Sequence, residues 1–248
     1  MSRPYIICHM VTSLDDKVTG DFLSLEECER ACDVYYEVNR KYKSQGSGGF
    51  ICGRVTMEES FTHGWYPDLS KYNPVSRENG RFADFWGDIQ SGYYAIAFDP
   101  RGKLGWKSPY IEDCDPGYDR AEVIEVLTNA VDGRYLAYLC EIGIPYVIAG
   151  DDTIDVELAL SKIGEHLAPK FYLLEGGSIV NGHFLCADCV DELSLVRAPV
   201  VADTDSKPLF MGGDISRFRL VRREELDGAI LLNYKKQANS DLQDLCDG

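Results

Sequence analysis

Six short runs of apolar residues recur along the 248-residue chain, and they restrict its fold more than any other feature. They are rich in Ile, Val, Tyr and Leu, and they span residues 4–11, 49–52, 93–98, 145–149, 171–174 and 193–201. Largely continuous apolar runs of this length indicate strands that are buried on both faces of a central sheet. A hydrophobic fraction of 45% supplies enough apolar surface for a substantial core.

Helical patterns lie between these predicted strands. Residues 24–42 open with a capping-box pair that begins at Ser24, and residues 154–167, which follow Thr153, place apolar side chains on one face. The alternation of strand and helix predicts α/β layers. Residues 62–92 and 99–119 are rich in Gly, Pro, Asp and Asn, which predicts long surface loops.

The C-terminal part of the sequence changes character. Residues 218–222 and 229–234 flank Leu226-Asp227-Gly228, and Asp-Gly between two such runs is typical of a β-hairpin. Neither a repeat nor a linker divides the sequence. We therefore predict one α/β domain with a mostly parallel mixed sheet over residues 4–235, an antiparallel C-terminal hairpin, and a tail at 236–248.

The charge of the chain excludes some classes of partner. There are 25 Lys and Arg residues against 41 Asp and Glu residues, which gives a formal net charge of −16. Long-range attraction to nucleic acid or to an anionic membrane is not expected at this charge. An anionic ligand would need local positive groups.

The N-terminal sequence and the cysteines both point to the cytoplasm. The first apolar run ends at Thr12 and Ser13 and is too short and too interrupted for a signal peptide or a membrane span. The nine cysteines are scattered, and Cys8, Cys52 and Cys140 lie inside apolar runs, where a reduced thiol packs as a small hydrophobic group. A reduced, cytoplasmic protein is expected.

A double glycine follows the fifth apolar run, in the segment Glu175-Gly176-Gly177-Ser178. Glycines at a strand end allow a sharp turn and remove Cβ atoms from the path of a ligand. The N–H groups of a following helix favour an anion. The segment is therefore equally consistent with a phosphate-binding turn and with a tight turn that binds nothing.

A second strand-turn-helix segment favours the ligand-binding interpretation. The segment GRVTMEES at residues 53–60 follows a buried run and carries Arg54 and Thr56 in its turn. Arg54 can form a charge-assisted hydrogen bond with a phosphate, and Thr56 can cap the helix or bind a pyrophosphate. Two such turns indicate a dinucleotide. Neither matches the G-x-G-x-x-G or Walker A pattern.

Four ordered motifs resemble those of a known family. GRVTMEES is similar to the cofactor motif of dihydrofolate reductase. The other segments resemble the reductase domain of the riboflavin-biosynthesis bifunctional deaminase-reductase and its stand-alone relatives; they are residues 4–17 with Thr-Ser-Leu-Asp, residues 174–178 with Asn181-Gly182, and residues 190–195 with Ala198-Pro199-Val200. The resemblance runs in order from about residue 4 to residue 235.

The resemblance implies a dihydrofolate-reductase-like three-layer sandwich, NADPH as hydride donor and, commonly, a homodimer. It implies cofactor contacts from Thr12, Ser13, Gly53, Arg54, Val55, Thr56, Asp99, Arg101, Gly176, Gly177, Ser178 and Ile179. In this arrangement the pyrophosphate lies between the two glycine turns, and the nicotinamide lies near residues 11–15. Arg101, with Arg54 beside it, is the candidate reader of the adenosine 2′-phosphate, although a solvated loop arginine is equally consistent with the sequence.

The same resemblance implies three candidate catalytic residues, Glu175, His9 and Asp15. Hydride transfer requires orientation and at most one proton from the protein. His9 stands where the family has a lysine, and it can donate a proton or lie buried against the backbone. Glu175 can accept hydrogen bonds from a pyrimidine-like ring or cap its turn, and the ligand role is favoured because a buried acid needs a polar partner.

The sequence also departs from the family pattern. Asp16 replaces a glycine, and Glu58-Glu59-Ser60 stands where the family has Asp-Asp-Pro. These departures leave the substrate open. The first interpretation is a reductase of the 5-amino-6-(5-phosphoribosylamino)uracil type, and the second is a reductase of another small heterocycle or carbonyl compound. A nucleotide-binding relative without catalytic activity is a third.

Several other chemistries find no support in the sequence. Cys186 and Cys189 with His183 would be an incomplete zinc set, because no second pair of ligands follows, so no metal is predicted. The deaminase signature and the G-x-S-x-G elbow are absent. Aromatic residues at 63–67 and 110–118 can line a substrate cleft or cover the core.

Overall fold

The computed structural model describes residues 3–237, which form a nine-stranded mixed sheet with helices on both faces. The strands are β1 (Tyr5–Thr12), β2 (Gly49–Gly53), β3 (Tyr94–Phe98), β4 (Glu122–Leu127), β5 (Tyr146–Ile148), β6 (Phe171–Leu174), β7 (Glu192–Arg197), β8 (Phe218–Leu226) and β9 (Ala229–Lys236). Their order is β5-β4-β3-β2-β6-β1-β7-β9-β8. In this order every neighbouring pair from β5 to β7 is parallel, whereas β9 is antiparallel to both of its neighbours, β7 and β8.

Helices cover both faces of this sheet. They are α1 (Glu26–Ser44), α2 (Arg54–Met57), which continues into a wide helical turn (Glu58–Thr62), α3 (Gly133–Ile142), α4 (Val156–Leu167) and α5 (Ser178–Cys186). Side chains alternate between faces along a strand, so Phe50 and Ile51 of β2 enter different cores. Helices α2 and α3 pack into the core that holds Phe50, whereas α4 and α5 pack into the core that holds Ile51. The predicted three-layer α/β arrangement is confirmed.

The connections diverge in the middle of the sheet. Strands β2 and β6 are neighbours, with Phe50 paired to Leu173, but the chain leaves β2 into α2 on one face and leaves β6 into α5 on the other. Such a divergence opens a crevice at the carboxyl ends of parallel strands, where ligands of open α/β sheets bind. The topology thus places the two glycine turns at one crevice.

The predicted hairpin is confirmed, with Leu226 paired to Ala229 across the turn residues Asp227 and Gly228. Both turn residues have positive φ, 46° and 79°, as a two-residue type I′ turn requires. No helix within residues 3–237 is long and apolar enough to cross a membrane.

Some predicted boundaries were wrong. The strand predicted over residues 193–201 ends at Arg197. Ser24 does not cap α1, because it ends a preceding 3₁₀ turn and donates its hydroxyl to the Asp21 carbonyl. Helix α4 begins at Val156 rather than at residue 154, and Asp155 caps it by accepting the N–H of Leu158. Thr56 does not cap α2.

Helix α5 contacts the main chain of a loop segment. This contact provides a test of the fold. A Cβ on Gly182 would lie 2.1 Å from the carbonyl oxygen of Met211, so Gly182→Ala forces backbone movement. We expect a loss of about 1–3 kcal/mol in the free energy of unfolding, measured by urea denaturation. His183→Ala, at the next and exposed position, is the control and should change it by less than about 0.5 kcal/mol. Equal stability of the two variants would contradict this packing.

Candidate active site

The two glycine turns lie side by side at the carboxyl edge of the sheet. The N–H of Gly53 donates to the carbonyl of Gly176 at 2.7 Å. Among the described residues, a Cβ on Gly177 would have one neighbour within 4 Å, the Thr56 hydroxyl at 3.4 Å. Gly177 therefore leaves open space beside Thr56, as a ligand-binding crevice requires.

Polar groups face this crevice from α5. The first bond of the helix runs from the N–H of Asn181 to the carbonyl of Gly177, so the three preceding N–H groups point out of the helix end. The Ser178 hydroxyl is buried and has no hydrogen-bond partner among the described residues. Ile179 beside it is exposed. An oriented helix end with an unsatisfied hydroxyl fits a phosphate group.

The end of β1 forms the third side of the site. The Thr12 hydroxyl is buried without a partner in the described part of the chain. The Ser13 hydroxyl donates to Asp15 at 2.7 Å, and the same carboxylate accepts the N–H of Ala202 at 3.0 Å. The Ala202 N–H, followed by the Ser13 hydroxyl, lowers the pKa of Asp15. The Asp15 carboxylate thus joins two loops beside the crevice.

Three residues of the predicted cofactor site, Asp99, Arg101 and Arg54, have partners within the protein. Asp99 is buried, accepts the N–H groups of Lys103 and Leu104, and has its pKa raised by burial. Arg101 is exposed and lies 3.3 Å from Asp152, and Arg54 lies 2.5 Å from Glu58. Asp99 therefore shapes the turn, and each guanidinium would exchange a carboxylate for a phosphate on binding a ligand.

A cavity of about 350 Å³ opens next to the crevice. Its lining residues come from α1, β2, α2 and its continuation, a loop over that face, and the end of β6; they are Tyr35, Tyr36, Phe50, Cys52, Thr56, Ser60, Phe61, Asp113, Cys114, Asp115, Tyr118 and Glu175. The volume lies in the range of small-molecule sites. Thr56 and Glu175 line the cavity and adjoin the glycine turns, so the cavity borders the crevice.

Glu175 is a buried acid at the inner end of this cavity. Its Oε1 accepts the amide of Asn39 at 2.6 Å, and its Oε2 accepts the hydroxyl of Tyr118 at 2.9 Å. Burial raises the pKa of Glu175 to about 7, although hydrogen bonds from Tyr118, Tyr35 and Asn39 act in the opposite direction. A carboxyl group with this pKa can hold or release a proton near neutral pH.

His9 lies behind the cavity and is not among the residues that line it. Its Nδ1 is 3.1 Å from the Ser194 hydroxyl, and its Nε2 is 3.2 Å from the Tyr35 carbonyl. The Nδ1 atom also lies 3.1 Å from the Ser194 carbonyl, so both ring nitrogens have hydrogen-bond partners within the protein. Burial lowers the pKa of His9 to about 4, and the ring stacks on Tyr35 at 4.3 Å. His9 therefore supports the cavity wall.

The structure adds residues that the sequence did not single out. Asn39 is fully buried on α1. Its polar side chain within the apolar pattern of that helix is the sequence feature that could have identified it. Tyr118 belongs to the aromatic segment 110–118, one of the two named as possible cleft lining. The other, at 63–67, contributes Trp65 to a separate pocket beside Trp106. Cys186 is exposed and Cys189 is buried, and both are free thiols.

No protein-family model matches this sequence. A 2,5-diamino-6-ribosylamino-4(3H)-pyrimidinone 5′-phosphate reductase from Aquifex aeolicus is 27% identical over 94 residues. The match covers 38% of this chain and 42% of that protein, so it spans less than half of either.

Solved structures match over nearly the whole chain. A pyrimidine reductase-like protein from Corynebacterium diphtheriae has a TM-score of 0.65 at 18% identity, with 95% of this chain and 93% of that chain covered. The riboflavin biosynthesis reductase Rib7 of Saccharomyces cerevisiae has a TM-score of 0.61 at 13% identity, with 95% and 90% covered. The fold implied by the sequence motifs is confirmed: the chain has the dihydrofolate-reductase-like fold found in pyrimidine reductases.

Proposed function

We propose that the protein is an NADPH-dependent reductase that transfers a hydride to a C=N or C=O group of a small heterocyclic or sugar-imine substrate. The observation that carries this proposal is the position of Glu175, a buried acid with a pKa of about 7, where the cavity meets the double-glycine turn. An enzyme that adds a hydride to such a bond also needs one proton, and a group that titrates near neutral pH suits that task.

The residues of the crevice fit a dinucleotide, and NADPH would supply the hydride. In the proposal, the pyrophosphate is held by the turn at residues 53–56 and by the open N–H groups and hydroxyl at the start of α5. Thr12 and Ser13 would contact the nicotinamide. Arg54 and Arg101 would read the 2′-phosphate. Val55 and Ile179, both exposed, would cover the ligand.

The protein residues divide the remaining work. Protonated Glu175 donates its proton to the nitrogen or oxygen of the reducible bond. The carboxylate that results keeps the amide of Asn39 and the hydroxyl of Tyr118 as donors, which limits the cost of its charge in a buried position. Phe50, Phe61 and the tyrosines exclude water from the reacting group. His9 and Asp15 position the walls of the site.

The resemblance and the names of the similar proteins favour a pyrimidine with a ribosyl side chain, of the 5-amino-6-(5-phosphoribosylamino)uracil type. Reduction of another small molecule on the same fold is the second candidate, and the departures at Asp16 and Glu58-Glu59-Ser60 favour it. The homodimer and the cytoplasmic location stay predictions from the sequence.

If Glu175 donates the proton, kcat/KM should fall as the pH rises above about 7, because the acid form is lost. Glu175→Gln should lower kcat/KM by about 100-fold or more and remove this pH dependence. Affinity for NADPH, followed by quenching of protein fluorescence, should be largely retained. An unchanged rate and pH profile in the variant would remove Glu175 from the chemistry.

The same acid should make stability depend on pH. In the unfolded chain Glu175 ionises near the ordinary glutamate value of 4.5, whereas in the folded protein its pKa is about 7. The folded state therefore binds more protons between these values, and stability falls as the pH rises from about 5 to 7, by up to about 3 kcal/mol. Glutamine does not ionise, so Glu175→Gln lacks this loss. The free energy of unfolding of the variant, measured in urea titrations, should therefore increase relative to that of the native protein as the pH rises over this interval. Parallel pH curves for the two proteins would contradict the raised pKa.

The open space at Gly177 gives a separate test of the cofactor crevice. In Gly177→Ala the added methyl group makes only an ordinary van der Waals contact with Thr56. The free energy of unfolding should therefore lie within about 1 kcal/mol of the native value. The same methyl group nevertheless projects into the crevice. We expect NADPH to bind at least about tenfold more weakly. Gly176→Ala differs, since φ is +93° and Met10 lies 3.0 Å away, so that variant should lose stability as well. Native NADPH affinity in Gly177→Ala would place the cofactor elsewhere.

A further inference from the structure

We infer that Asp115 and Gly117 are positioning residues, which hold two hydrogen-bond donors against the carboxyl group of Glu175. The donors are the hydroxyl of Tyr118 and the amide of Asn39. The inference rests on the proposed function, in which Glu175 supplies the proton, and it names residues that act on this proton through other groups. The observation that carries it is the attachment of one loop to helix α1 beside the acid.

Asp115 organises this loop, at residues 111–120, through three of its oxygen atoms. Its Oδ1 accepts the N–H of Gly117 at 2.6 Å, and its Oδ2 lies 2.6 Å from a guanidinium nitrogen of Arg40 on α1. The carbonyl of Asp115 accepts the N–H of Tyr118 at 3.0 Å. A side-chain oxygen that accepts the N–H two residues on closes a tight turn. The residue that bears the Tyr118 hydroxyl is therefore tied to α1 through one aspartate.

Gly117 brings the same turn into contact with Asn39. A Cβ on Gly117 would lie 2.7 Å from the Oδ1 atom of Asn39 and 2.8 Å from the Oδ1 atom of Asp115, so a larger side chain requires movement of one or both. The other end of the Asn39 amide, Nδ2, donates to Glu175 at 2.6 Å. The loop thus packs against the oxygen end of an amide whose nitrogen end serves the acid.

The amide oxygen of Asn39 is itself a sign of this arrangement. It is buried and has no hydrogen-bond partner within residues 3–237. A buried polar atom without a partner is destabilising and uncommon in native proteins. An amide turned the other way would place this oxygen, which can only accept, against the carboxylate of Glu175. The orientation of Asn39 therefore satisfies Glu175 at the expense of its own oxygen.

The other titratable groups that face Glu175 are neutral near pH 7. Burial raises the pKa of each of them above its ordinary value; they are Cys8 on β1, Tyr35 and Tyr36 on α1, Cys52 on β2, Tyr93 just before β3, and Tyr118 on the loop. Burial is the largest influence on the pKa of Glu175 itself, followed by hydrogen bonds from neutral side chains. The proton on Glu175 therefore responds to the positions of these donors.

Displacement of the loop should raise the pKa of Glu175, because Tyr118 and Asn39 stabilise its carboxylate form. In Asp115→Ala and in Gly117→Ala we expect this pKa to lie about one unit above that of the native protein. Tyr118→Phe removes one donor directly and should give a similar rise. The measurement is an NMR titration of protein labelled with carbon-13 at the glutamate carboxyl groups, in which the signal missing from Glu175→Gln belongs to Glu175.

The sign of the shift separates positioning from a simple charge effect. Asp115→Ala removes a negative charge and leaves Arg40 unpaired, and both changes alone would lower the pKa of Glu175. Glu112→Gln is the matched control, because it removes a negative charge from an exposed position of the same loop; it should move the pKa by less than about 0.3 unit. In the Tyr118→Phe background, Asp115→Ala should have less than half of its effect in the native protein, because the donor is already absent.

The outcomes separate this inference from the proposed function. If Glu175 titrates near pH 7 in the native protein but neither Asp115→Ala nor Gly117→Ala raises its pKa, the inference is wrong and the proposed function is untouched. Gly117→Ala changes no charge, so it stands as the test if Asp115→Ala does not fold.

A rate measurement completes the separation. With NADPH and 5-amino-6-(5-phosphoribosylamino)uracil, the pH above which kcat/KM falls should move upward by the same amount as the pKa in each variant. If the pKa of Glu175 moves as expected but the rate profile does not follow it, the positions of the donors stand and the proposed role of Glu175 as proton donor fails. If Glu175 in the native protein does not titrate near pH 7, both proposals fail.

Discussion

The main-chain hydrogen bond from Gly53 to Gly176 is the contact on which the site depends. It joins the ends of two neighbouring parallel strands whose helices depart to opposite faces, so the crevice between the turns follows from the topology rather than from any side chain. Glu175 precedes one end of this bond and Thr56 follows the other by three residues. Small displacements of either turn would therefore move the acid, the cavity wall and the helix end together.

The burial of Glu175 connects stability to chemistry. An acid in this position is destabilising when ionised, and two neutral donors, from Asn39 and Tyr118, reduce that cost without adding a positive charge. A cation in their place would lower the pKa of the acid and leave it ionised at neutral pH. Burial raises the pKa of Glu175 to about 7 against the lowering effect of these neutral donors, so a group that lines the cavity can hold a proton near neutral pH.

The sequence predicted the parts of the site that are encoded locally. An acid and two glycines directly after a continuous apolar strand can be recognised without knowledge of the fold, and so can the second turn at Gly53. Asn39 and Tyr118 come from a helix and a long loop, and only tertiary packing brings them to Glu175. The hydrogen bonds of His9 likewise depend on Ser194 of β7, which is 185 residues away.

Strand β4 shows a different obstacle to prediction, because Glu122 and Glu125 interrupt its apolar run. Glu125 is fully buried, and it accepts hydrogen bonds from the indole of Trp106 and the hydroxyl of Tyr135. Burial, with a contribution from Asp99, raises the pKa of Glu125 well above its usual value, because the charged form loses its hydration in the core. Helix α3 went unassigned in the same region, between that strand and the next.

Two buried acids with raised pKa values thus have different consequences. Glu125 is fully buried against Trp106 and Tyr135 and lines neither of the two pockets described above, so its raised pKa bears on stability. Glu175 has the same type of burial but lines a cavity that borders the crevice. A shifted pKa marks desolvation in both cases, and access to a ligand is what makes one of the two groups a candidate for chemistry.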